Sequence, residues 1–137
     1  MNLLDELKSN NYAIIASNGY HSIDRGIMPV ISMINKDKRF FSGLIVADKI
    51  VGKASAMLLS LSEVQEVYCI VLSKAGEEVF KKYKVKYHYE QLVDYIVNRK
   101  NDDMCPMEKT VKDIDDLDEA YKALKKKVEE LHKNKQK

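Results

Sequence analysis

The chain has 137 residues, 45% of them hydrophobic and 32% charged, with five glycines, two prolines and no tryptophan. That size and mix suit one folded domain around one core and exclude a disordered or fibrous polypeptide. With 23 lysines and arginines against 21 aspartates and glutamates the net charge is +2, too small for electrostatic capture of a polyanion over the whole surface, so nucleic acid is not implied.

The chain opens MNLLDELK, with Leu3, Leu4 and Leu7 at helical spacing and an early Asp5. That pattern predicts a short amphipathic helix rather than a secretory leader, and no later stretch approaches the ~18 apolar residues of a membrane span. The expected setting is therefore cytoplasmic, without a membrane partner. Tyr12 to Ala16 is a compact apolar run ended by Ser17, Asn18 and Gly19, and Asn-Gly predicts a tight hairpin turn with both residues at positive φ. Tyr20 to Asp24 is the returning strand. Gly26 breaks the pattern, and Pro29 opens a short helix whose Ile27, Val30, Ile31 and Ile34 share a face. Lys36 to Arg39 is a basic loop.

Phe40 to Val46 predicts a strand, and Asp48 stands where an N-cap would, before a helix from about Lys49 to Leu61 with Ile50, Ala54, Met57, Leu58 and Leu61 inward. Gly52, Ala54, Ser55 and Ala56 are small, which lets that helix lie close to its neighbours as the central packed helix. Val67 to Leu72 is an unbroken apolar run of strand length, read as a strand covered on both faces. Ser73 caps the next helix, in which Ala75, Val79 and Phe80 point inward. Lys84 to Tyr89 alternates as a half-solvated strand does, and Leu92, Val93, Ile96 and Val97 have helical spacing.

Asn98 to Thr110 is polar and turn-prone. The last element, residues 112–137, is an amphipathic helix and tail with its acids first and its lysines last, as the helix dipole favours. Its Leu117, Tyr121, Leu124, Val128 and Leu131 form a heptad-like seam of about two heptads, too short to hold a coiled coil alone, so it packs on its own domain or, second, joins two chains as a homodimer. Lys133 to Lys137 reads as a solvated tail. The order predicts a single α/β domain over 1–137, layered on a mixed sheet, with an antiparallel hairpin leading into strand-helix crossovers.

The segments VADKIVGKASAMLL (Val46 to Leu59), VYCIVLSKAGEEVF (Val67 to Phe80), DYIVNR (Asp94 to Arg99) and CPMEKTV with the nearby DIDD (Cys105 to Asp116) together resemble an uncharacterised family of bacterial and archaeal proteins. The resemblance covers nearly the whole chain and implies a three-layer, cytidine-deaminase-like fold. Zinc deaminases join a His-X-Glu to a Pro-Cys-X-X-Cys because hydroxide must be made at neutral pH and a carboxylate must move protons. On this resemblance those halves fall near Asp48 and Lys49 and near Ser73 to Gly76 (SKAG), where no zinc ligand set stands. Neither a metal nor another cofactor is expected.

The resemblance makes a small-molecule or nucleotide-like ligand the first functional reading. Two helix starts, at Asp48-Lys49 and Ser73-Lys74, would open onto the carboxyl ends of parallel strands, where α/β folds bind ligands. Free amide groups there, with Lys49, Lys53 or Lys74, would hold an anion, unless Asp48 and Ser73 only cap their helices; the charge of Asp48 argues against an anion. Asn98 and Arg99 would end a helix, where Arg99 suits the negative dipole end, or else help line a pocket with the following loop. The second reading is a metal-independent enzyme with Cys105 as nucleophile beside Lys109, and Glu108 as base or substrate-orienting group; its alternative is a small apolar plug of Met104, Cys105 and Met107. Cys69 lies in an apolar run far from Cys105, so no disulfide framework is drawn, and neither His21 nor His88 is placed by spacing as a metal ligand. The third reading is an interaction module working through the last helix.

Overall fold

The computed structural model describes residues 2–98 and 100–135, with 133–135 by backbone alone. Its strands are β1 (Ile14–Ala16), β2 (His21–Ser22), β3 (Ile45–Val51), β4 (Glu66–Ser73) and β5 (Lys86–Val93), and its helices α1 (Leu3–Ser9), α2 (Met28–Lys36), α3 (Lys53–Leu61), α4 (Lys74–Lys82), α5 (Pro106–Val111) and α6 (Leu117–Lys135). One mixed sheet runs in the order β2-β1-β3-β4-β5. β1 is antiparallel to both neighbours, whereas β3, β4 and β5 are parallel and joined by crossovers through α3 and α4.

The hairpin forms where expected, with a different turn. Its loop is Ser17, Asn18 and Gly19, closed by Gly19 N–H donating to Ala16 O at 3.0 Å and Ala16 N–H to Tyr20 O at 2.8 Å. Only Gly19 has positive φ, at 96°, as in a three-residue hairpin loop ending in a left-handed residue. The side chain of Asn18 instead accepts the Tyr20 N–H at 3.0 Å.

Two hydrophobic clusters flank the sheet. The smaller is built by Leu7, Ile15 and Ala47, with α1 laid on that face. The larger joins the opposite face to the other helices through fully covered residues such as Val46, Phe41, Leu58, Leu72, Phe80 and Leu124. Every residue of α3 from Ala54 to Leu61 is buried, which its small N-terminal residues permit, so it is the central packed helix that the sequence predicts. Ala120 and Leu124 of α6 belong to this core, with Leu117, Tyr121 and Val128 packed against it. Leu117, Tyr121, Leu124 and Val128 of the seam are therefore packed on the chain's own domain. The predicted lysine tail falls largely outside the described residues.

Several boundaries depart from the sequence reading, and α5 forms within the segment read as polar and turn-prone. Phe40 and Phe41 are not in a strand: Phe41 is fully buried and packs edge-on with Tyr20 and Phe40, as an aromatic plug ahead of β3. β3 instead continues to Val51, because Asp48 pairs with Ile14 on one side and Cys69 on the other. Asp48 thus lies within a strand, and the helix begins at Lys53 with Gly52 at its N-cap. Finally, β5 replaces the predicted helix through Leu92 and Val93, since those residues pair with Leu72 and Ser73 of β4. Asn98 consequently ends no helix; it sits in a small loop closed by the Val97–Met104 bridge and hydrogen-bonds to Asp102 and Asp103.

Candidate functional site

The carboxyl ends of β4 and β5, the starts of α3 and α4, and the segment from Asp94 to Asp115 enclose a cavity of about 410 Å³. Its apolar wall includes Met57, Val79, Tyr83, Tyr95 and Met104, and its polar rim includes Lys53, Glu78, Lys82, Asp94 and Asp115. The volume falls within the range of small-molecule sites, about 300–1,000 Å³, and the position is where parallel sheets bind ligands.

Glu108 organises this corner. Its Oε1 accepts the Lys53 N–H at 2.7 Å and its Oε2 the Ala54 N–H at 2.8 Å. A carboxylate from α5 therefore caps α3, whose own N-cap residue, Gly52, has no side chain to do so. The approach requires glycine at that position: a Cβ on Gly52 would lie 2.1 Å from Glu108 Oε1. Gly76 fits against Gly52 in turn, since its own Cβ would stand 3.1 Å from the Gly52 carbonyl. Burial raises the pKa of Glu108, while the two amide hydrogen bonds and nearby Lys53 oppose that shift.

This arrangement sorts the predicted site residues. Lys53, Ser73 and Glu108 meet at the larger cavity. The amide groups at the start of α3 are occupied by Glu108. At α4, Ser73 Oγ accepts the Gly76 N–H at 3.0 Å, in the capping role read from the sequence. Lys53 Nζ donates to Lys112 O at 3.0 Å and is 3.9 Å from Asp115, which holds the start of α3 to the chain beyond α5. Lys74 pairs with the rim residue Asp94 at 2.7 Å.

Cys105 precedes α5, donates its N–H to Ile96 O at 2.8 Å, and lines a separate cavity of about 50 Å³ with Ile27, Ile50, Ile96 and Met107. Glu108 borders both cavities. Lys109 pairs with Asp103. Lys49 reaches Asn11 at 2.7 Å, beyond the end of α1. Neither Lys49 nor Asp48 lines either cavity. Arg99 lies outside the described residues. Sequence reasoning missed Tyr95 and Met104 at the cavity because they sit in irregular chain whose course depends on the Val97–Met104 bridge. The rim residue Asp115 has no signal in the sequence beyond the run of acids that leads into the last helix.

Asp48 and Cys69 are buried neighbours across β3 and β4. Desolvation pushes the Asp48 carboxyl up to about 8, against hydrogen bonds from the Ile50 and Lys49 amides, and the Cys69 thiol is pushed up by burial and then by Asp48. Among the described residues no group of three or more His, Cys, Asp or Glu is placed to hold a metal ion, and no helix is long and apolar enough to cross a membrane.

A comparison with solved structures finds a DUF1893 family protein from Thermotoga maritima, TM1506, similar over 90% of this chain and 86% of that one, with 26% identity and a TM-score of 0.82. No match is found among curated proteins. The model of the TM1506 family, described as a domain of unknown function (DUF1893), matches residues 2–128. With that match running from the first turn of α1 deep into α6, the chain belongs to the DUF1893 family.

Proposed function

We propose that this domain binds a small molecule with an apolar ring and a polar or charged edge, such as a nucleoside or nucleotide, on a cytidine-deaminase-like fold without catalytic zinc. The observation that carries the reading is the cavity of about 410 Å³, in which Met57, Val79 and Tyr95 offer apolar surface beside the Lys53 and Asp94 rim. A planar ring packs on the apolar wall, and the rim fixes its polar edge. The deaminase-like part of the reading rests on the order of elements, a hairpin followed by crossovers through α3 and α4. The setting consistent with it is cytoplasmic. Catalysis by Cys105 is the weaker reading, because Cys105 lines the smaller cavity and both Glu108 oxygens are already engaged by backbone amides.

Native mass spectrometry of the freshly purified protein, followed by thermal melts with a panel of nucleosides and nucleotides, tests this. A ligand at a hundredfold excess over its Kd adds about 2.7 kcal/mol, or about 10 °C for a chain of this size. Ala75, exposed on α4 and lining the cavity, supplies the control: Ala75→Trp fills the space and abolishes the shift while the protein stays folded. Absence of bound mass together with no shift from any member of the panel at millimolar concentration would overturn the proposal, as would an undiminished shift in Ala75→Trp.

A further inference from the structure

We propose that β5 is a docking edge for a second copy of this chain, the two β5 strands running antiparallel about Tyr89 to make one continuous sheet. β5 ends the sheet and, among the described residues, pairs only with β4. Its eight residues, KYHYEQLV, turn half of their backbone groups outward, and among the described residues no other segment hydrogen-bonds to that side. Open edges of this kind are ordinarily shortened, charged, bulged, covered or interrupted by proline. The opposite edge follows that rule, since β2 has two residues. β5 has neither proline nor glycine, its charges Lys86 and Glu90 are paired with Glu66 and Lys8, and it exposes His88, Tyr89, Glu90 and Gln91 together.

The side chains select the occupant. A two-fold axis normal to the sheet keeps each residue facing the same side in both copies, so it must pass opposite a single residue of the strand. Placed at Tyr89, it sets Tyr89 against itself, Tyr87 against Gln91 and His88 against Glu90 of the second copy, with Lys86 through Leu92 all paired. Tyr89 is 43% exposed, a large ring at the centre of the open edge, and aromatic pairs directly across strands are among the favourable ones. Glu90 is already held by Lys8 at 2.5 Å and His88 by Glu66 at 2.6 Å. Both are thus set in place on the face that carries α1, and each gains a complementary neighbour from the second copy. Like charges never meet in this register. An unrelated peptide strand has no reason to repeat that complementarity, whereas the chain itself supplies it twice.

Sedimentation equilibrium of the full chain over about 1–100 μM, with a register-specific cross-link, tests the proposal. In the Cys105→Ser background, Tyr89→Cys places two thiols directly opposite, within the usual Cα separation of disulfides, roughly 4.4–6.8 Å. It should oxidise to a covalent dimer at least about tenfold faster than Gln91→Cys, also exposed but well away from its own counterpart in this register. The wild-type chain should dimerise reversibly within that range. A monomer at the highest concentration, or equal cross-linking of the two variants, would overturn the proposal. Pocket binding is read separately by ligand-induced melting shifts, so either result leaves the two tests distinguishable.

Discussion

Replacing Asp48 with asparagine should stabilise the protein, and by more as the pH rises. The carboxyl lies in the middle of β3, 5% exposed, with a folded-state pKa of about 8 against an ordinary value of 3.8. The folded state therefore holds a proton that the unfolded chain releases. Stability associated with this group is fully present below about pH 4 and is lost as pH rises, at about 1.4 kcal/mol per pH unit, until the folded carboxyl itself ionises near pH 8. At pH 7 the accumulated cost is about 4 kcal/mol, a large share of the 5–15 kcal/mol typical of a domain. Asparagine keeps the oxygen that accepts the Ile50 N–H at 3.4 Å and has no proton to lose, though its extra amide hydrogen offsets about 1 kcal/mol. Urea melts of both proteins between about pH 4 and pH 8 give the test as a difference, which cancels Glu108, Glu66 and every other group common to both. The variant should be no more stable at the acid end and more stable by several kcal/mol at the alkaline end. A difference that stays constant across the series would refute the assignment of a buried, protonated Asp48.

The cap on α3 makes a sharp steric prediction. Gly52→Ala should expel the Glu108 carboxylate and cost about 2–4 kcal/mol through the loss of two charge-assisted hydrogen bonds, read as a lower urea midpoint. Glu108→Ala combined with Gly52→Ala should then cost little more than Gly52→Ala alone, because both remove the same contact. Ser73→Ala should cost about 1 kcal/mol, the usual worth of an N-cap, and hydrogen exchange should show the loss in the first turn of α4.

How far the sequence could be read depended on whether a signal was local. The Asn18-Gly19 turn, the Pro29 helix start, the Ser73 cap and the apolar run of β4 all declare themselves within a few residues, and each forms where expected. The start of α3 does not, because its cap arrives from Glu108, 54 and 55 positions along the chain from the amides it satisfies. With glycine at the true cap position, Asp48 was the nearest residue of capping type and drew the predicted boundary four residues early. The spacing of Leu92, Val93, Ile96 and Val97 suits a helix, yet pairing with β4 outweighs it. The candidate site divides in the same way. Lys53, Ser73 and Glu108 are legible from their chemistry and meet at one cavity, whereas Tyr95 becomes a wall residue only through the course of the chain after β5.

Because the cap of α3 comes from α5, the order of synthesis leaves its mark on this fold. Chain growth of about 5–20 residues per second separates the two by roughly 3–10 s. During that interval the central helix and the strands beside it exist with two bare amide groups at a helix start that the finished protein buries. The nascent domain can collapse around β3, α3 and β4, but the corner that becomes the cavity is sealed only once the chain from Asp94 to Asp115 has emerged.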